Sequence, residues 1–290
     1  MIRDVKAWEE FERELAKREP VDYQRNLRLF EALLEEARSL GRWPPDDPLE
    51  GIELHTRFVE AVRRWWEKDQ RDSAEQANEE APTTRGERVA SSSPTRVKDV
   101  PVNGIVADLL ARMALALKHA GVAYMIIGGQ AVLLYGEIRV TRDVDITLGV
   151  GPEALPRILD ACRNAGLDCL VADPEAFVKQ TLVLPSIDSS SGLRVDFVFS
   201  FTPYEREAIR RAVDVPVAGV PVRFARVEDV IIHKIFAGRP RDIEDVRGIL
   251  RKKRDLDIPL IRRWLRELGS ATDRDLLSVF EKLTREEWTD

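Results

Sequence analysis

The sequence predicts an α/β domain with a helical C-terminal tail, preceded by a small all-α segment. Three observations carry this. From residue 101, short apolar runs alternate with helical periods. From Val227 to the end the period is helical throughout. Residues 1–68 show only helical spacing, and a stretch of different composition separates them from the rest.

In residues 1–68, Trp8, Phe11 and Leu15 fall at helical spacing, as do Leu27, Phe30, Leu33 and Leu34, and again Phe58, Val62, Trp65 and Trp66. The breaker-rich GRWPPDDPLEG lies between the last two groups. Four of the six Trp residues sit here, which suits a small helical domain or a helical hairpin that docks onto another surface. Residues 69–100 hold almost no large apolar side chain and are rich in Ser, Glu, Arg, Pro and Gly. Such a composition cannot offset the entropy of ordering, so a flexible linker is expected. Thirty such residues span roughly 30 Å, enough to bring the first domain over much of the second.

Residues 101–290 form the second domain, its tail beginning near 227. A helix is expected over 104–120, with Ile105, Leu109, Leu110, Met113 and Leu117 on its apolar stripe. The strand AYMII, 123–127, follows, and further strands are expected at 144–148, 181–184, 193–199, 213–217 and 220–224. Helices fit 152–165 and 204–211, and the tail is broken at Gly238–Pro240 and at Pro259.

Composition narrows the function classes. The chain has 290 residues, 44% hydrophobic and 33% charged, so it has material for a sizeable core and is not a disordered protein. No apolar run nears the roughly 18 residues of a membrane-spanning helix. The charged start MIRDVKAWEE does not read as a signal peptide, and a cytoplasmic location with no membrane partner is expected. A net charge of -6 argues against a generally basic nucleic-acid binder but allows a local basic face. Arg239 to Arg266 holds ten basic against five acidic residues, which makes either an RNA-binding face or a helix surface laced with ion pairs. Cys162 and Cys169, with three His residues, do not make a zinc site and are expected as buried free thiols.

The chemistry concentrates in IIGGQAVLLYGEIRVTRDVDITLG, residues 126–149. Glycines at a strand end let a ligand approach the backbone, and a following helix N-terminus offers unpaired N–H groups to phosphate. Asp143 and Asp145, two apart on a strand, point to one face. Two carboxylates about 4 Å apart repel by roughly 4 kcal/mol at an effective dielectric near 20. A proton, an arginine such as Arg139 or Arg142, or a divalent metal must compensate. Asp196 lies in the apolar strand LRVDFVFS and needs a partner of its own. If the two strands are adjacent, the three aspartates make an oxygen cluster suited to Mg²⁺, and two such ions about 3.5–4 Å apart can drive in-line phosphoryl chemistry. Two other pairs of the same spacing, Asp255/Asp257 and Asp273/Asp275, lie in the tail and read as helix caps.

Gly-Gly, thirteen residues, Asp-x-Asp, then a single Asp on a later strand resembles the polymerase-β-like nucleotidyltransferase superfamily. Gly-Gly-Gln-Ala through Arg-x-Thr-Arg-Asp-Val-Asp is most similar to its abortive-infection and minimal members, many of them toxins of toxin–antitoxin pairs. The resemblance covers roughly residues 105–250. It implies a nucleotidyltransferase-like mixed sheet with flanking helices, and transfer of a nucleoside monophosphate from an NTP to an acceptor hydroxyl with release of pyrophosphate. It implies two Mg²⁺ ions, or Mn²⁺, held by Asp143, Asp145 and Asp196, with Asp196 helping to activate the acceptor. Gly128, Gly129, Gln130, Arg142 and Lys234 become the nucleotide-binding candidates, Lys234 through the triphosphate. Many members carry Gly-Ser where this chain has Gly128-Gly129, so that serine contact is absent and Gln130 is the alternative.

The acceptor is left open, with tRNA or protein favoured over a small molecule. An antibiotic-modifying enzyme on the same core is one alternative, and a catalytically silent nucleotide- or partner-binding module is another. His233, set among isoleucines, reads as a packed histidine, while Asp242 and Asp245 suit either a helix first turn or the site. The first segment, DVKAWEEF through DDPLEG, resembles small helical proteins encoded beside such enzymes and implies a fused regulator in contact with the catalytic domain.

Overall fold

The protein is described here by a computed structural model covering residues 21–41, 43, 49, 57, 58, 60, 63, 64, 67, 104–136, 138, 141, 143–200 and 202–288. Trp8, Phe11, Leu15, Val62, Trp65, Trp66, Arg139, Arg142 and the expected linker 69–100 lie outside these residues.

The strands are β1 (Tyr124–Ile127), β2 (Asp143–Leu148), β3 (Leu167–Cys169), β4 (Val183–Asp188), β5 (Leu193–Phe199), β6 (Val213–Val217) and β7 (Val220–Phe224). They form one mixed sheet in the order β3-β4-β5-β2-β1-β7-β6. β1 and β5 are buried along their whole length, as expected of apolar strands covered on both faces. β1 runs antiparallel to β2, so its last residue, Ile127, lies opposite Asp145. β2 runs parallel to β5, which sets Asp143 beside Arg194 and Asp145 beside Asp196. These two registers bring the end of β1, the start of β2 and the middle of β5 to one place.

The helices are α1 (Tyr23–Ser39), α2 (Ile105–His119), α3 (Gly128–Tyr135), α4 (Leu155–Ala165, entered by a 3₁₀ turn at Pro152–Ala154), α5 (Pro174–Thr181) and α6 (Pro203–Arg211). The tail is α7 (Val227–Ala237), α8 (Pro240–Lys252), α9 (Ile258–Thr272) and α10 (Leu276–Trp288). The expected breaks at Gly238–Pro240 and before Pro259 separate α7, α8 and α9. A further break, between α9 and α10, falls at Asp273, which adopts φ 51. Asp257 caps α9 by accepting from the Leu260 amide, and Asp275 accepts from that of Ser278. Both tail pairs thus contribute a cap.

The sequence pattern misses α5 and sets β4 too early, at 181–184. Asp173 accepts from the Ala176 amide and Pro174 takes the first helical position, a start signal that the short PEAFVKQT run makes easy to overlook. Pro185, Ser186 and Asp188 dilute the apolar signal of β4. Leu33 also departs from expectation: Leu27, Phe30 and Leu34 are buried, while Leu33 is 44% exposed, because it lies 100° round the helix from Leu34.

α1 shares one hydrophobic core with the sheet and α2. Tyr23 meets Phe224 of β7 edge to face, with ring centres 5.4 Å apart. Asn26 donates to the Leu133 carbonyl of α3 and Gln24 to that of Pro216 in β6. The Glu31 carboxylate accepts from the Val106 and Ala107 amides at the start of α2, satisfying N–H groups that a helix leaves open. Farther along the first segment, Phe58 is buried against the His233 ring of α7, 3.8 Å between centres, which matches the packed reading of that histidine. Cys162 and Cys169 are free thiols; Cys162 is buried, and burial pushes its thiol up to about 12. Cys169 is half-buried. No helix among the described residues is long and apolar enough to cross a membrane.

Candidate active site

The chain leaves β1 at Ile127 and turns into α3 through Gly128, whose φ of 67 is left-handed and unfavourable for any residue with a Cβ. Space imposes the same choice. A Cβ on Gly128 would overlap the Asp145 carboxylate, and one on Gly129 would overlap the Thr141 methyl group. Both glycines are therefore required by the side chains facing them, in addition to whatever they offer a phosphate.

Gln130 is fully buried, and its Nε2 donates to Thr141 Oγ1 at 3.3 Å. Thr141 Oγ1 in turn donates to the Asp143 carbonyl at 3.1 Å. This chain of bonds ties the start of α3 to the start of β2. Gln130 thus anchors the turn in the position expected of a phosphate contact.

Asp143, Asp145 and Asp196 each place one carboxylate oxygen within 4.8 Å of the other two. Asp143 is half-buried at the strand start, Asp145 is buried and Asp196 has no exposed surface. Three oxygen donors at this spacing, with the bare Gly128 backbone packed against one of them, could hold a metal ion.

Part of the compensating charge comes from Arg194, which the spacing of the aspartates does not single out. Its Nη2 lies 2.9 Å from Asp196 Oδ2 and 3.0 Å from Asp143 Oδ2, and its side chain is only 8% exposed. The signal was present in LRVDFVFS: Arg194 precedes Asp196 by two, so strand alternation sets both on one face, as it does Asp143 and Asp145.

Lys234, expected at the triphosphate, is buried in α7. Its Nζ donates to Asp242 at 3.0 Å and lies 2.7 Å from Asp245, both on α8. Asp242 also accepts from Arg239 Nε at 2.6 Å and from its Nη2 at 3.1 Å. Against the effect of burial, Arg239 and Lys234 hold the Asp242 carboxyl below its usual range. Burial opposes the charge on Arg239, but Asp242 and then Asp145 and Asp143 hold its guanidinium above the usual value. Arg239 therefore links the Lys234 cluster electrostatically to the acidic triad.

The basic stretch of the tail is extensively paired. Arg247 and Arg251 both reach Glu287, at 2.9 Å each, and Arg262 pairs with Glu281 at 2.7 Å.

The family model described as nucleotidyltransferase of unknown function (DUF6036) matches residues 106–276, from the first turn of α2 to the start of α10. The chain belongs to this nucleotidyltransferase family. All three aspartates, both glycines and Arg194 lie inside the matched region, and α1 lies outside it. No curated protein sequence matches the chain.

Among solved structures, the chain is similar to an antigenic nucleotidyltransferase-like protein from Paracoccidioides brasiliensis, at 18% identity and TM-score 0.40. That match covers 63% of this chain and 95% of the other. ANT(2")-Ia, solved in complex with adenylyl-2"-tobramycin, is similar at 16% identity and TM-score 0.35, over 63% of this chain and 99% of the other.

Proposed function

We propose that the protein is a metal-dependent nucleotidyltransferase that moves a nucleoside monophosphate from an NTP onto an acceptor hydroxyl. The observation that carries the reading is the meeting of Asp143, Asp145 and Asp196 beside the Gly128 turn, in a chain of a nucleotidyltransferase family.

In this reading Asp143, Asp145 and Asp196 hold the divalent ions, Mg²⁺ or Mn²⁺. When bound, the ions supply charge neutralisation for the triphosphate and the leaving pyrophosphate. The chain's own residues do the rest. Gly128 and Gly129 add no side chain of their own to the turn, and backbone N–H groups at the start of α3 are the proposed partners of phosphate oxygens. Gln130 holds that turn against β2 through Thr141. Arg142 and Lys234 are the nucleotide-side cations of the proposal; Lys234 acts from its place between Asp242 and Asp245, and Asp242 also holds Arg239. Asp196 takes the proton of the acceptor hydroxyl. The acceptor oxygen forms a bond to the α-phosphorus as the α–β anhydride bond breaks, and pyrophosphate leaves. Most of the rate then comes from positioning and charge neutralisation.

The proposed setting is the cytoplasm and the proposed acceptor is a tRNA or a protein, in a toxin–antitoxin context. Residues 1–68 are proposed as an accessory to the catalytic part, residues 101–290, joined by the linker 69–100. The contacts of α1 with α2, α3 and β6 support an accessory built onto the core.

The test is incubation of the full chain with each α-labelled NTP and Mg²⁺ in cell lysate, followed by identification of the labelled species. Asp143→Asn and Asp145→Asn should each abolish labelling. Labelling that persists unchanged in both variants refutes the reading.

A further inference from the structure

We propose that Arg194 is the resident counter-cation of the acidic triad, and that its guanidinium leaves the Asp143 and Asp196 carboxylates when a divalent cation binds there. Cation binding at this site is then an exchange of one positive group for another. The proposal rests on the nucleotidyltransferase reading only in expecting a cation at the triad.

The geometry makes the two cations competitors. One nitrogen, Arg194 Nη2, reaches both Asp143 and Asp196, at 3.0 and 2.9 Å. Those carboxylates also supply two of the three converging oxygens. A divalent ion draws its oxygen ligands in to about 2.1 Å, which leaves a guanidinium on the same two carboxylates in close repulsion with it. Arg194 cannot relieve this by losing a proton, because a guanidinium stays charged at any working pH. It can do so only by moving.

The same geometry explains why an arginine is present. Asp196 is fully buried and sits beside Asp145 across the β2–β5 pair, with Asp143 two residues from Asp145. A buried carboxylate cluster without a cation is strongly unfavourable. Arg194 is placed by strand register opposite Asp143 and on the face of Asp196, so the backbone delivers the charge to the cluster without a loop. The site can therefore stay folded before it is loaded. The consequence is a weakened affinity, because each binding event includes the release of Arg194.

The test compares the full-length wild type with Arg194→Met and Arg194→Gln. Thermal midpoints are measured in EDTA and in rising Mg²⁺, and Mn²⁺ affinity is measured by calorimetry, with no nucleotide present. Both variants are expected to melt below wild type in EDTA, to recover as Mg²⁺ is added, and to bind Mn²⁺ about tenfold more tightly than wild type. Arg194→Gln keeps a polar but uncharged side chain at this position, so it carries the comparison if Arg194→Met does not fold in EDTA.

Binding by the variants that is equal to or weaker than that of wild type overturns the exchange, and does so without touching the nucleotidyltransferase reading if wild type still labels an acceptor. Tighter binding by the variants with no NTP-dependent labelling in wild type leaves the exchange standing and removes the reading. Absence of cation binding in all three proteins overturns both.

Discussion

Gly128→Ala isolates what the turn does for the site. Two effects add at this position. The left-handed backbone, φ 67, is unfavourable for alanine by about 1–2 kcal/mol. The new methyl also falls where the Asp145 carboxylate lies, so that buried side chain must leave its rotamer, at about 0.5–1.5 kcal/mol, and quit the triad. The strand itself cannot yield, since β2 is paired on both sides, to β1 and to β5. Gly121→Ala is the control: its φ is 62, but a Cβ there meets nothing within 4 Å. Gly121→Ala should therefore show the backbone effect alone. Gly128→Ala should lose about 1 kcal/mol more in urea unfolding, and should also lose the stabilisation by Mg²⁺ that Gly121→Ala keeps. Equal losses in the two variants, with the Mg²⁺ response intact in both, would refute the argument that Gly128 exists to admit Asp145.

Two further outcomes follow from buried charge. Burial pushes the Glu205 carboxyl of α6 up to about 7 from its ordinary 4.5. The native state then binds the extra proton between these values, so this group's contribution to stability falls as pH rises from 4.5 to 7, by up to about 3 kcal/mol. Glu205→Gln should gain on wild type across that window in urea unfolding at pH 5, 6.5 and 8, and parallel curves would contradict it. Lys234→Met should destabilise by about 3 kcal/mol because Asp245 loses a 2.7 Å ion pair while remaining buried. Adding Asp245→Asn should restore part of the loss, which a double-variant comparison measures; strict additivity would exclude the pairing as the cause.

Much of the site could be read in the sequence because it depends on local spacing. Asp143 and Asp145 share a face by strand alternation alone, and Gly-Gly after an apolar strand implies a turn that needs bare backbone. The roles of Arg194 and Lys234 could not be settled this way. Arg194 meets Asp143 because β2 and β5 lie parallel in one register, and these residues are 51 apart in the chain. Lys234 meets Asp242 and Asp245 because α7 and α8 fold back across Gly238. Pairing between distant charges is a property of register and helix packing, and one chain's pattern carries neither.

The same division holds for the whole molecule. Hydrophobic periodicity by itself determined the α/β class and the helical tail with breaks at Gly238–Pro240 and before Pro259, and strand alternation set Asp143 and Asp145 on one face; their meeting with Asp196 waited on the pairing of β2 with β5. A period reports which face of an element is apolar, and that face persists wherever the element docks. The tertiary structure decided where each element docks. It set α1 into the core with β7 and α2, gave both glycines a side chain to accommodate, and placed an arginine on the carboxylates that the fold brings together. Those outcomes depend on which surfaces meet, and the energy of meeting is fixed only when both partners are in place.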